Sequence, residues 1–380
     1  MSKVVFMTGA TGNIGAKLVS AILAGDDSCR LILLVRANSA EHARARVKSS
    51  VTVVSPEFPF DRYSRRISVL PGDITHDDLG FSGSLYNEVA SQVTDIIHSA
   101  AATGFLLPVE AARRINLGGT INVMNLARKA ADKGQLRGVA HVSTAFVNTG
   151  NGRPIGEEDF LVRRDFLHGY DQTKWEAERY IRSAMSWLPV TVFRPSVIVG
   201  DSNTGCTSAF NVLYTPLRLI CHGQIDTLPA EPEVRLDVVP SDYVADAIHH
   251  IFIRKGKCSG RTFHITAGGD KSLTIGQIID GTLNLAAKYY PRSCANGVRF
   301  VAPSLFDAAF GGGGNGNNRI FRMIKVFEPY MTRQMIFDDS GTRAALHGSK
   351  IAVKSLSEYF ETIVRHCFDT RWGKQVRRAA

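Results

Sequence analysis

Lys3-Val4-Val5-Phe6-Met7, then Thr8-Gly9-Ala10-Thr11-Gly12-Asn13-Ile14-Gly15, then Ala16 to Leu23 with apolar residues at helical spacing: this opening decides the fold. A short β-rich run feeds a glycine turn, and the turn feeds a helix. That order suits a dinucleotide. Glycines permit a tight turn and a close approach of backbone to a pyrophosphate. The helix that follows presents its unpaired N-terminal N–H groups to the same anion. In a chain with 34 glycines the spacing alone is a weak signal, and its placement after the first strand carries the reading. Gly9, Thr11, Gly12, Asn13, Ile14 and Gly15 are therefore the expected phosphate-binding turn.

Arg30-Leu31-Ile32-Leu33-Leu34-Val35 reads as the second strand, with Arg36 at its tip, 21 residues past Gly15. An acid at that tip would accept from the ribose hydroxyls of NAD. An arginine suits a 2'-phosphate and points to NADPH. Arg46, on the helical run Ala40 to Lys48, either supplies a second charge or lies on a solvated helix face. Ile67 to Leu70 is a third strand, leading to Gly72-Asp73-Ile74-Thr75, where the Asp73 carboxylate is placed to accept from an adenine amino group. Asp95-Ile96-Ile97-His98 is a fourth, ending in Ser99-Ala100-Ala101, small residues that let a cofactor lie against backbone. His98 reads as structural. Ile115-Asn116-Leu117-Gly118 opens a helix to Ala131, and Asn116 joins the expected cofactor contacts. Gly138 to Thr144 is the fifth strand, with the hydroxyls of Ser143 and Thr144 at the carboxyl edge, where doubly wound sheets hold ligands. Strands alternating with helices predict a parallel sheet covered on both faces, an α/β Rossmann-type fold.

Tyr170-Asp171-Gln172-Thr173-Lys174 supplies the chemistry. Residues four apart share a helix face, so phenol and ammonium point into one space. A cation there is expected to lower the tyrosine pKa toward a range useful for proton exchange at neutral pH. With Thr144 upstream, the three form a candidate catalytic set: Thr144, Tyr170 and Lys174.

Composition bounds the remaining classes. At 380 residues and 44% apolar content the chain can bury a sizeable core. Its six cysteines are scattered, without metal-ligand spacing, so no metal site is expected and a reducing compartment is. Met1-Ser2-Lys3 runs straight into a strand and no apolar run approaches a membrane span, so the expectation is a cytoplasmic protein without signal peptide or transmembrane segment. A net charge of +10 favours anionic partners: phosphate-bearing cofactors and carriers, or anionic lipid at a membrane surface. Basic residues are dispersed except between Arg371 and Arg378, which argues against nucleic acid. Oligomeric state is not legible.

Thr8 to Gly15, Gly72-Asp73, Ser143-Thr144, Tyr170 with Lys174, and Phe193-Arg194-Pro195-Ser196 together resemble the extended short-chain dehydrogenase/reductase superfamily. Leu34-Val35-Arg36 with Arg46, Val142-Ser143-Thr144-Ala145, and Arg194 to Asp201 followed by Thr204-Gly205 resemble its thioester reductase and fatty acyl-CoA reductase branch. The resemblance covers about the first 265 residues. It implies that Thr144, Tyr170 and Lys174 do the chemistry, that the cofactor is NADPH, and that Lys174, Pro195, Ser196 and Val197 join the cofactor contacts. It also implies reduction of an acyl thioester to an aldehyde, with a second hydride giving an alcohol. The chain as given shows no carrier or adenylation segment ahead of the reductase. The acyl group is thus expected from acyl-CoA or from a separate, acidic, phosphopantetheine-bearing acyl carrier protein. The alternative within the superfamily is a nucleotide-sugar epimerase or dehydratase with retained NAD, against which Arg36 and the long helical C-terminus speak.

Past Gly200 the pattern changes. Leu236 to Pro240 and Asp242 to Ile248 read as a strand entering a helix, Arg261 to Thr266 as a late strand, and Ile275 to Tyr289 and Ser355 to Cys367 as helices. Residues 1–200 plus 237–267 are expected to form the NADPH-binding domain, and 201–236 plus 268–380 a smaller, mainly helical substrate domain. Phe310 to Asn318, rich in glycine, is expected to be a mobile loop, either a lid or a spacer. Met323, Ile324, Val326, Phe327, Tyr330, Met331, Met335 and Ile336 either line an acyl tunnel or form this domain's core.

Overall fold

Val5, Phe6 and Met7 are all fully buried, because the strand they form is covered on both faces. The structure is a computed structural model and describes residues 3–149, 153–162, 166, 168–210, 213–255, 258–289, 297–311 and 315–374. Its first half alternates strand and helix: β1 (Lys3–Thr8), α1 (Asn13–Gly25), β2 (Cys29–Val35), α2 (Ala40–Val54), β3 (Ile67–Pro71), α3 (Gly83–Gln92), β4 (Asp95–His98), α4 (Val109–Arg113), α5 (Gly119–Asp132), β5 (Gly138–Val142), α6 (Gly169–Ala184) and β6 (Val190–Pro195). Short pieces follow: β7 (Val197–Val199), α7 (Tyr214–Cys221), β8 (Thr227–Pro229), β9 (Arg235–Leu236), β10 (Val238–Pro240), α8 (Ser241–Ile248) and β11 (Thr262–Ile265). The C-terminal part holds β12 (Leu273–Thr274), α9 (Ile275–Tyr289), β13 (Arg299–Val301), α10 (Pro303–Phe310), α11 (Asn315–Thr332), α12 (Ser340–Leu346) and α13 (Leu356–Asp369).

Seven strands make one parallel sheet in the order β11-β6-β5-β4-β1-β2-β3. The order reverses between β1 and β4, and a crevice opens there at the carboxyl ends of the strands. Alternate residues of β1 serve opposite faces. Val5 and Met7 pack with α1, α2 and α8, while Phe6 packs with α3, α5 and Ile181 of α6. A third core joins α7, α9, α11 and α13 through Leu217, Ile278, Phe327 and Ile363. This core is not confined to 201–236 and 268–380, because it also takes Ala145, Phe146, Ile155, Val197 and Val199 from the segments leaving β5 and β6.

Three expectations are corrected. The helix read as ending at Lys48 runs on to Val54, carried by the buried Val47, Val51 and Val54. Leu236 to Pro240 is not one strand: Leu236 pairs with Leu273 and Val238 to Pro240 pair with β7. Between them the Asp237 carboxylate turns inward to accept the N–H groups of Ala267 and Gly268. In the expected glycine loop, Phe310 ends α10, residues 312–314 lie outside the described residues, and Asn315 to Asn318 already have helical backbone in α11. Of the basic C-terminal stretch, residues 375–380 lie outside the described residues. Met331, Ile324, Phe327 and Tyr330 belong to the third core, whereas Ile336 is 39% exposed.

Candidate active site

Gly9 has φ +79°, and a Cβ there would stand 2.6 Å from the Ala100 nitrogen. A Cβ on Gly15 would meet the Gly9 carbonyl oxygen at 2.0 Å. Both positions demand glycine, one for its backbone and its approach to the loop after β4, the other for seating α1 on the turn. The N-cap of α1 is Gly12, with no side-chain cap and no acid in the first turn. Its leading N–H groups are thus left for an anion. Asn13 turns its Oδ1 away to accept from Thr207 Oγ1 and the Ser208 N–H at 3.1 and 3.0 Å, tying the turn to the loop after β7.

A cavity of about 250 Å³ lies on the β2 side of this turn. Gly9, Thr11 and Gly12 form its floor, Ser99, Ala100 and Ala101 one wall, and Arg36, Arg46, Asp73 and Ile74 the other. The Arg46 guanidinium donates to the Arg36 carbonyl, which brings both cations to the tip of β2. One oxygen of Asp73 is held by the N–H and hydroxyl of Thr75 at 2.8 and 2.9 Å. Asn116 does not line the cavity. It is buried, and its amide is used up on both backbone groups of Ala102 and on the Thr173 hydroxyl. The expectation that it touches a cofactor is corrected: it fastens the loop after β4 to α6.

A second cavity, about 420 Å³, shares Thr11, Gly12, Ser99 and Ala101 with the first and runs along the sheet edge toward the third core. Ile14, Gly15, Ser143, Thr144, Tyr170, Lys174, Pro195, Ser196 and Val197 all line it. Thr144 N-caps the turn Ala145–Val147, its oxygen accepting the Phe146 N–H at 3.3 Å, which leaves the O–H to donate. Tyr170 lies one residue into α6, whose N-terminus is capped by His168 Nδ1 accepting from the Asp171 N–H at 3.2 Å. Lys174, one turn later, donates to the Val142 carbonyl at 2.8 Å.

The expected depression of the Tyr170 pKa is overturned. Burial raises it well above the usual phenol value, Asp171 adds to the rise, and the Thr144 hydroxyl, in hydrogen-bonding reach of the phenol, pulls it back only in part. Lys174 itself is pushed down to about 8 by burial, with Glu178 opposing. Desolvation is the largest influence on both groups, and the Lys174 ammonium donates to a backbone carbonyl, not to the phenol. At neutral pH Tyr170 is therefore a phenol and Lys174 a cation.

Behind this cavity lies an ionic cluster that the sequence reading missed. Arg194 of β6 and Glu178 of α6 pair at 2.5 Å with both side chains fully buried. Ser143 donates to the same carboxylate at 2.6 Å, and Arg182 bonds it at 3.1 Å. Arg194 also donates to the Glu157 carbonyl at 3.0 Å. The sequence marks each partner separately, an arginine inside the apolar run Val190 to Pro195 and a glutamate four residues past Lys174, without pairing them. His98 is held between the hydroxyls of Thr8 and Thr120, at 2.8 and 2.9 Å, and burial with Lys174 pushes its pKa down to about 3, so it stays neutral. Also missed were Phe105 and Phe146, aromatic walls of the larger cavity, which they share with Tyr330.

Residues 7–248 match the NAD-binding family described as male sterility protein. The chain belongs to this family. With its parallel sheet and glycine turn, it is an NAD(P)-binding chain of the extended short-chain dehydrogenase/reductase type. Among curated relatives, aldehyde reductase lnbA of Aspergillus flavus is 30% identical over 271 residues, 69% of this chain and 26% of its own length, so the chain spans about a quarter of that relative. Among solved structures, the terminal R domain from the myxalamid PKS-NRPS biosynthetic pathway superposes with TM-score 0.82 at 24% identity, covering 98% of this chain and 92% of that one. A thiolation-reductase di-domain from an archaeal non-ribosomal peptide synthetase gives 0.74 at 18%, covering 98% and 76%. At these identities the structural likeness speaks to the fold.

Proposed function

We propose that this male sterility family member is an NADPH-dependent reductase of acyl thioesters, forming an aldehyde and, where the aldehyde rebinds, an alcohol. The observation that carries the reading is the meeting of Thr144, Tyr170 and Lys174 in one cavity continuous with the glycine turn. The chain's residues fit the cofactor: uncapped N–H groups for the pyrophosphate, small residues 99–101 at the β4 edge, and two arginines for a 2'-phosphate. NADPH, when bound, supplies the hydride that reduces the carbonyl carbon.

Thr144 and Tyr170 would donate hydrogen bonds to the thioester oxygen, and these strengthen as negative charge grows there. Tyr170, a phenol at neutral pH and more firmly so for its burial, enters as an acid and gives its proton to the developing alkoxide, leaving a hemithioacetal. Lys174, cationic at neutral pH, offsets the charge left on the phenolate. Collapse breaks the C–S bond, the sulfur leaves as thiol and the aldehyde remains. The acyl group would come on CoA or on a carrier protein. The thiolation-reductase neighbour and the +10 charge support an acidic, phosphopantetheine-bearing partner.

Mixing the protein with NADPH and a panel of acyl thioesters, and following nicotinamide absorbance, tests this. Oxidation that depends on the thioester, with stoichiometric free thiol, is expected. Protein that purifies with firmly held NAD and ignores added NADPH would instead belong with the sugar epimerases and dehydratases.

A further inference from the structure

Tyr330, near the C-terminal end of α11, lines two cavities at once. On one side it walls the catalytic cavity beside Tyr170 and Phe146. On the other it borders an almost wholly apolar cavity of about 40 Å³ between α7, α9 and α11, where Leu217, Ile278 and Phe327 are among the lining residues. The ring is only 6% exposed and meets Phe146 edge to face at 4.9 Å. Its hydroxyl is held from the start of α6, donating to Asp171 Oδ1 at 3.5 Å and lying 3.5 Å from His168 Nε2. Since His168 Nδ1 accepts the Asp171 N–H, its Nε2 carries the hydrogen and faces the Tyr330 oxygen as a donor. The ring thus stands as a partition braced by the helix that carries Tyr170.

We propose that Tyr330 is the specificity-determining residue that ends the acyl-binding space, and that the apolar cavity behind it is a latent extension for a longer acyl chain. The inference rests on the thioester reductase reading above. With the ring in place, an acyl group that fills the space against Phe105, Phe146 and Tyr330 meets a wall. With the ring removed, the two cavities join, and further methylenes enter a lining of leucine and isoleucine. Burying each methylene favours binding by a factor of about four.

The test measures kcat/KM of the full chain with NADPH and straight-chain acyl-pantetheine thioesters from butanoyl to dodecanoyl. The wild type is expected to fall off steeply with length. Tyr330→Ala should raise the ratio for decanoyl over butanoyl at least tenfold, whereas Tyr330→Phe, which keeps the ring, should leave the profile where it was. Tyr330→Leu, which keeps apolar bulk on α11, gives the same direction of change if the alanine variant does not fold. Adding Leu217→Phe to the alanine variant refills the rear cavity and should cancel the gain. A wild type equally active across the series, or truncated variants whose profile parallels the wild type, overturns the inference alone. A wild type that binds NADPH yet reduces no thioester overturns the functional reading and takes this inference with it.

Discussion

In the proposed mechanism Tyr170 would act through its phenol proton, which burial holds all the more firmly. Replacing it with Phe removes that proton and one donor to the oxyanion while leaving the cofactor surfaces intact. Turnover should fall by at least about a thousandfold with NADPH affinity within a few-fold, as steady-state kinetics beside a fluorescence titration would show. Lys174 makes a prediction about pH. Its pKa is lowered from 10.5 to about 8, so the cation is present below pH 8 and lost above it. The kcat/KM profile, which reports the free enzyme, should decline on its alkaline side near pH 8. Glu178 opposes the lowering, so Glu178→Gln should move that limb to lower pH; a limb that stays put would remove Glu178 from the electrostatics of Lys174. Arg36 was placed by counting from the glycine turn, and Arg46, read either as a second charge or as a solvated face, donates to the Arg36 carbonyl. Arg36→Ala should weaken NADPH at least tenfold more than NADH, and equal losses would make it a structural residue.

At the level of the element, α6 does three tasks. Its cap His168 sets its start, its first turns offer Tyr170 and Lys174 to the cavity, and its next turn sends Glu178 into Arg194. The pairing of Tyr170 with Lys174 was legible because four-residue spacing fixes a face whatever the tertiary context, whereas the His168 cap was not read. Glu178 was not assigned because its meaning depends on β6 lying against α6, a packing fact that no local pattern contains. The same holds for Asn116, whose neighbours in sequence suggested a cofactor but whose amide is consumed by Ala102 and Thr173. The glycine turn was legible because sterics act locally, at Gly9 and Gly15. The Tyr170 pKa was misjudged because desolvation, unlike charge proximity, leaves no mark in a motif. The α6 to β6 contact carries its own prediction. Arg194→Met takes from the Glu178 carboxylate its fully buried cation, leaving only Ser143 and the more exposed Arg182, and should cost about 3 kcal/mol, measured by urea unfolding. Adding Glu178→Leu should recover much of the loss, since it removes the fully buried carboxylate and leaves only the partly exposed Arg182 without its acid.

For the molecule as a whole, the question is whether the sheet and the C-terminal helices fold as two units or one. The segment after β5 answers it. Ile155 donates to the Ile336 carbonyl at 2.8 Å and accepts from the Asp338 N–H at 2.9 Å, a bridge between distant parts of the chain. Glu157 Oε1 then accepts the His264 N–H of β11 at 3.0 Å and both the N–H and the hydroxyl of Thr342 in α12, at 3.0 and 2.7 Å. The Arg194 guanidinium closes the set on the Glu157 carbonyl. One side chain therefore joins an outer strand of the sheet to a C-terminal helix, in a place where burial raises the carboxyl pKa and makes lost partners expensive. A shared set of buried partners predicts a single cooperative transition. Two tryptophans can read it: Trp175 on α6 and Trp372 in the third core, both buried, while the exposed Trp187 is removed as Phe. Variants keeping only Trp175 or only Trp372 should unfold at the same urea midpoint. Glu157→Ala withdraws the acceptor from three donors at once, so the Trp372 midpoint should then fall below that of Trp175. Distinct midpoints in the parent protein, or coincident ones in Glu157→Ala, would mean that the two cores are coupled through Val197, Val199 and the β7 to β10 pair and owe little to Glu157.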